Sequence, residues 1–208
     1  MSALFHFDLL DQLSFYGSYH HKRLNQLVHG VFVPAIFWSI CVWLAYVVLP
    51  YDLPQQLSGW PLPDWLTSSC VANGALILAS VYGAYYILLE PFAGITWTLF
   101  QGWPMWLTAT AFRQAVPHAW AWALGVHLFS WYMQIHIGHI IIEGRKPALT
   151  DSLFQSLALA NLFVWMETLF ALGYRPRLQA ALQERVSENL ADLRSQQQPL
   201  LKPQEQGK

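Results

Sequence analysis

The sequence predicts an all-α fold: a polytopic membrane helical bundle of about four to five spans, with a short amphipathic helix at its N-terminus. Three observations carry this. Charged residues make up only 11% of the 208, against roughly 25% in soluble globular chains, so too little charge exists to cover a water-facing surface. Long runs without Asp, Glu, Lys or Arg recur along the chain. The polar residues that do fall at membrane depth are gathered rather than scattered. Five of the eight histidines lie in two short windows, Tyr19–His29 and Gln134–His139, each at the end of an uncharged run.

Asp8 and Asp11 interrupt the start of the chain, and no basic stretch precedes them, so the opening does not read as a cleaved leader. Leu9, Leu10, Leu13, Phe15 and Tyr16 instead predict an amphipathic helix that meets the membrane surface. Leu24–Tyr51 is free of charge over 28 residues, and about 20 suffice for a span. Pro34 inside it is tolerable where neighbouring helices satisfy the freed carbonyl. The following loop holds Pro54, Pro61 and Pro63, and its charges, Asp52 and Asp64, are acidic. Trp65–Leu89 is again uncharged, with Ala75, Ala79 and Gly83 as a ladder of small residues that lets another helix approach. Glu90-Pro91 ends it.

Phe92–Phe112 is a third uncharged run, interrupted by Gly94, Gly102 and Pro104, and either spans or re-enters. Gln114–Ile142 is the longest, at 29 residues, and Glu143-Gly144-Arg145-Lys146-Pro147 closes it. Residues 151–174 mix apolar side chains with Gln155, Asn161 and Glu167, as in a span with an inward polar face or a segment lying in the interface. Residues 1–174 thus form the membrane-embedded domain, and 175–208 a polar C-terminal helix that frays into a disordered tail. Lys22 and Arg23 precede the first span and an acidic loop follows it, which puts the N-terminus in the cytoplasm. Three more crossings return Arg145 and Lys146 to that face, whereas Arg175 and Arg177 then follow a fifth segment and fit poorly. Cys41 and Cys70 read as buried free thiols. A net charge of −1 offers no field for nucleic acid, and a homo-oligomer is compatible with the sequence but not required by it.

On a helix of 100° per residue, His21, Asn25 and His29 stay within about 80° of one another. His136, His139 and Glu143 repeat the pattern within about 60°. Two helices that each aim imidazoles inward make the usual metal site of a bundle, so His21, His29, His136 and His139 are the candidate ligands. Imidazole suits zinc, copper, iron and nickel, and the residues alone do not separate iron from zinc. Asn25 and Gln134 are placed to orient the imidazoles from behind. Glu143 either does the same, takes part in proton transfer, or merely ends its helix. His20 points about 100° away from His21, as a fifth ligand or a proton-transfer group. Lys22, Arg23, Arg145 and Lys146 form a cationic rim that ordinary cytoplasmic flanking charge would also explain. His118 and His127 read as packing residues and His6 as a solvated one.

These residues resemble a known family. Phe15-Tyr16-Gly17-Ser18-Tyr19-His20-His21, with Asn25, His29 and Phe32-Val33-Pro34, is similar to the N-terminal signature of the iron-dependent 2-hydroxy fatty acid dioxygenases. Gln134-Ile135-His136-Ile137-Gly138-His139, followed by Glu143-Gly144-Arg145-Lys146-Pro147-Ala148-Leu149, resembles that family's second signature. The likeness covers residues 8 to 172 in layout and implies alpha-oxidation. A 2-hydroxy fatty acid and O2 would give an acid one carbon shorter, CO2 and water. It implies Fe(2+) as cofactor, His20 or Glu143 as proton acceptor, and a substrate carboxylate received by Arg23, Arg145 and Lys146. The acyl chain would lie between helices in the lipid bilayer, in the inner membrane of a bacterium or the endoplasmic reticulum of a eukaryote. The reaction balances four electrons against one O2, and no glycine-rich dinucleotide motif is present. Two other readings stay open: a di-iron fatty acid hydroxylase or desaturase, and a membrane protein whose histidines bind haem or only pack.

Overall fold

The computed structural model describes residues 8–57, 59–147 and 153–201. Among them the secondary structure is helical, apart from an isolated antiparallel bridge between Val48 and Asn73. Helix α1 (Leu9–Gly17) starts under an Asp8 cap whose carboxylate accepts from Asp11 N at 3.1 Å. It is not a free surface helix: Leu13, Tyr16 and Gly17 are buried, and it packs against α9 (Leu153–Ala171) and α10 (Pro176–Leu201). A β-carbon on Gly17 would come within 2.9 Å of Val186. The apolar stripe that suggested lipid contact is spent on the protein's own helices.

Helix α2 (Arg23–Leu44) is the centre of the bundle. Its neighbours are α5 (Gly74–Leu89), α7 (Trp103–Ala115), α8 (Ala119–Tyr132), α9 and the segment Met133–Glu143. It is the one helix among the described residues long and apolar enough, as a single element, to cross a membrane, with mean hydropathy 2.0. The expected four to five spans therefore reduce, on this criterion, to one. The reason is physical. Gly74–Leu89 is short, and two long rods change winding partway. Pro91–Trp97 (α6) passes through a π-helical turn, Thr98–Gly102 (π1), into α7 without leaving helical backbone angles. Pro104 lacks an N–H, so a wider turn beside it absorbs the missing bond. α8 likewise runs into an 11-residue π-helical stretch, Met133–Glu143 (π2).

The small-residue ladder behaves as expected: Ala75, Ala79 and Gly83 are buried, and Gly83 faces Thr98 with no room for a side chain. Glu90 ends α5, caps α6 through Ala93 N, accepts from Tyr174 Oη at 2.8 Å and pairs with Arg175 at 3.5 Å. That pairing gives Arg175 a local partner. Burial, then the Glu90 bond, lifts the Tyr174 phenol to about 12. The loop before α5 carries two short helices, α3 (Leu53–Leu57) and α4 (Asp64–Ser69). Cys41 and Cys70 are free and buried. His127 is held by Ser39 at 2.8 Å and Trp131 at 2.9 Å, as a packing residue should be. His118 is exposed, in left-handed backbone, at the start of α8. His6, Ala148 and Leu149 and the end of the tail, 202–208, lie outside the described residues.

A buried three-histidine centre

The N-terminus of α2 meets the C-terminus of π2, so the two histidine windows adjoin at one end of the bundle. Three imidazoles converge there: His20 from the turn after α1, His29 from α2 and His139 from π2. One ring nitrogen of each lies within 4.8 Å of the others. The ring centroids stand 4.2 Å apart for His20–His29, 4.7 Å for His20–His139 and 5.0 Å for His29–His139, all edge to face. All three are buried.

Local structure fixes their orientation. His20 stacks on Tyr16 at 4.1 Å, and its Nδ1 lies 2.8 Å from the Tyr16 carbonyl. His29 Nδ1 lies 3.1 Å from the Asn25 carbonyl. A carbonyl can only accept, so both Nδ1 atoms carry the proton and each Nε2 keeps its lone pair. Burial, then the neighbouring His29 and His139, hold the His20 imidazole well below its ordinary value. Neutral rings with fixed free lone pairs are what a borderline metal ion takes. His20 Nε2 and His139 Nδ1 are also buried without any hydrogen-bond partner. Buried polar atoms are rarely left so, and a cation between them would satisfy both. The residues present therefore fit a metal ion.

This set differs from the one that helical spacing suggested. His21 stands outside the centre, partly exposed, with its Nδ1 against Glu143. It follows the end of α1 and precedes α2, so the 100° rule that grouped it with His29 does not reach it. His136 is exposed and stacks on Tyr132 at 5.2 Å. An i→i+5 bonded segment fits more residues into each turn than an α-helix, so positions i and i+3 no longer share a face. His20, held in reserve by the spacing argument, occupies the middle of the cluster.

Glu143 is buried and turned to the start of α2. It accepts from His21 N at 3.1 Å, Lys22 N at 3.4 Å, Asn25 Nδ2 at 3.1 Å and the His21 ring. In return Lys22 Nζ donates to the Ile142 carbonyl at 2.7 Å, near the end of π2. Each helix caps the other, a carboxylate at an N-terminus and an ammonium at a C-terminus. Arg145 donates to the Ser18 carbonyl at 3.1 Å. Arg23 and Lys146 are exposed. The cationic rim is thus tied in part to backbone. Gln134 touches none of the three rings by hydrogen bond; its Nε2 is buried and unpartnered.

Two cavities meet at the centre. A narrow one of about 70 Å³ contains His20, His29 and His139 and runs past Val33, Ile36, Phe37 and Ile40. Those residues form one stripe of α2, which from His29 to Ile40 rises about 16 Å. A wide one of about 960 Å³ opens between Arg23, Gln26 and Leu27 on one side and α9 and α10 on the other, with His20 and His29 in its wall. Ser156 and Asn161 line the narrow cavity and were not singled out from the sequence as site residues; the polar interruptions of the 151–174 run were the available signal.

Gly138 is where π2 presses on α2. A β-carbon there would sit 2.5 Å from Asn25 Oδ1 and 3.2 Å from His29 Cε1. Gly138→Ala is expected to displace His29 and lower the affinity of the cluster for a metal ion about tenfold or more, with helix content by circular dichroism unchanged. Wild-type affinity in that variant would mean that the helices part without disturbing the ring.

A helical bundle with three buried imidazoles at the head of an apolar slot is an arrangement that could hold a metal ion beside an apolar ligand. The chain belongs to the family described as 2-hydroxy-palmitic acid dioxygenase Mpo1-like, which matches residues 7–172. It is similar to the 2-hydroxy-palmitic acid dioxygenase MPO1 of Saccharomyces cerevisiae, with 32% identity over 191 residues, 92% of this chain and 97% of that protein. No solved structure matches it.

Proposed function

We propose that this protein is an integral-membrane, Fe(2+)-dependent dioxygenase that converts a 2-hydroxy fatty acid and O2 into the acid one carbon shorter, CO2 and water. The observation that carries the reading is the convergence of His20, His29 and His139 beside an apolar slot, with Nε2 of His20 and of His29 left free of a proton. Family membership supports a 2-hydroxy fatty acid as substrate and is in keeping with dioxygen as co-substrate. The electrons balance without a reductant. The C1–C2 bond breaks, C1 leaves as CO2, C2 rises from carbinol to carboxyl, and the four electrons released reduce one O2.

His20, His29 and His139 are the ligands in this reading. Bound Fe(2+) would supply the charge and redox capacity that bring hydroxy acid and dioxygen together. The Tyr16 and Asn25 carbonyls hold the His20 and His29 rings in the ligating tautomer. Tyr16 and Phe163, 4.6 Å apart, back the His20 ring on the α1 side. The α2 stripe from Val33 to Ile40 receives the acyl chain. Glu143, whose oxygens already accept from four donors, organises the two helix ends rather than taking the substrate proton.

Membrane insertion is supported by α2 and by the outward side chains of its neighbours. Leu24, Leu27 and Val31 on α2, Val81 and Leu88 on α5, Phe100, Trp122 and Leu128, and Ile140 and Ile141 on π2 are all exposed. A soluble monomer rarely presents so much apolar surface. The rods Pro91–Ala115 and Ala119–Glu143 are each long enough to cross when counted through their π-turns. Charge bias puts the histidine end at the cytoplasmic face.

Purified in detergent and reloaded with Fe(2+) without air, the protein is expected to hold one iron and, on admission of O2, to turn 2-hydroxypalmitate into the C15 acid with no added reductant. Two irons with dependence on an electron donor would favour the di-iron reading. A Soret band would favour haem, although three rings meeting edge to face leave no flat gap for a macrocycle.

A further inference from the structure

The narrow cavity holds more unpartnered polar chemistry than a metal centre needs. Gln134, Ser156 and Asn161 are 6%, 5% and 4% exposed and line it together with the three histidines. Gln134 Nε2, Ser156 Oγ and Asn161 Oδ1 make no hydrogen bond. Their other neighbours in the lining are largely apolar, among them Val33, Ile36, Phe37, Ile135, Leu157 and Ala160. Buried polar groups without partners are costly, and three of them from two elements around one cavity call for an occupant.

We infer that Gln134 on π2 with Ser156 and Asn161 on α9 form an uncharged clasp for the polar head of the substrate, holding its carboxylate and its 2-hydroxyl. This rests on the hydroxy-acid reading above and gives that reading a recognition site. The clasp replaces the expected docking on Arg23, Arg145 and Lys146. Arg145 is committed to the Ser18 carbonyl, and Arg23 lies along the wide groove instead.

The chemistry of the set suits the ligand. Each amide offers either its NH2 or its oxygen by turning over, and the serine hydroxyl gives or accepts. A carboxylate needs donors, and an α-hydroxyl needs one donor and one acceptor. The clasp supplies both kinds within one cavity, with the positive charge left to the metal ion. A site that bonds a substrate hydroxyl discriminates strongly against an analogue that lacks it, because its own polar groups are then left bare. The clasp therefore selects 2-hydroxy acids over simple fatty acids.

The test uses the Fe(2+)-loaded protein without O2, where binding is read without turnover. 2-Hydroxypalmitate and palmitate are titrated into wild type and into Gln134→Leu, Ser156→Ala and Asn161→Leu. Each variant is expected to bind 2-hydroxypalmitate about tenfold more weakly, to lose most of its preference over palmitate, and to keep wild-type iron. Ligand-free Tm should stay level or rise, since each change removes an unsatisfied polar atom. Unchanged affinity and preference in all three variants would overturn the clasp and leave water as the occupant. A lowered ligand-free Tm with unchanged preference would make the three residues structural. Wild type that holds iron yet ignores 2-hydroxypalmitate would overturn the substrate reading itself.

Discussion

His20→Ala, His29→Ala and His139→Ala are each expected to abolish iron binding and turnover, while His21→Ala and His136→Ala keep one iron per chain. The contrast follows from geometry. One nitrogen of each member of the first set lies within 4.8 Å of the others, and all three rings are buried. His21 faces Glu143 and His136 faces Tyr132. Losing a group that only orients a ligand lowers metal affinity about 10- to 100-fold. Losing a ligand should therefore exceed that and leave iron below detection after dialysis. His127→Ala should retain both iron and activity, because its ring is occupied by Ser39 and Trp131. Iron by mass spectrometry on each variant, with circular dichroism to establish folding, decides the matter. Iron kept by His20→Ala and lost by His21→Ala would restore the ligand set that regular helical spacing suggests.

That contrast also measures how far sequence reaches. The all-helical class, the paired windows and their meeting at one end were legible, because uncharged runs and clustered histidines are one-dimensional signals. The inward place of His29 and His139 in the cluster was legible because each aims from a helix into the bundle. His20 was read only as a fifth ligand or a proton-transfer group. Its place depends on a turn between two helices, and no periodicity extends across a turn. His136 was misplaced for a second reason: π2 winds more loosely than the α-helix on which its angle was reckoned. Nothing in the run Gln134–Glu143 announces that winding. The inward polar face of α9 was visible as an alternative at Asn161, but the cavity that gives Ser156 and Asn161 their meaning is a tertiary fact. Span counting suffered likewise, since a rod assembled from α and π segments is longer than either piece.

Glu143→Ala is expected to produce the largest loss of stability of any single change at the site. The carboxylate is fully enclosed and accepts from two backbone N–H groups, the Asn25 amide and the His21 ring. Hydrogen bonds to a charged group contribute about 1.5–3 kcal/mol each. Removing the acceptor strands several donors at the start of α2, where α2's own Lys22 provides no side-chain cap. A loss of about 3–5 kcal/mol follows for the set, or roughly 10 °C in Tm for a chain of this length. Iron affinity should fall with it, because Asn25 is fixed by Glu143 and the Asn25 carbonyl in turn holds His29. Glu143→Gln keeps one acceptor oxygen and should lose less than half as much stability while retaining iron and most turnover. Thermal unfolding of both variants in the same detergent, with iron content and turnover beside it, separates two roles. If Glu143→Gln melts like wild type and binds iron but is inactive, the carboxylate moves a proton in the reaction. If its stability, iron and turnover fall together and modestly, with Glu143→Ala far worse, the carboxylate is the clamp that sets two helix ends, and through them the histidines, in place.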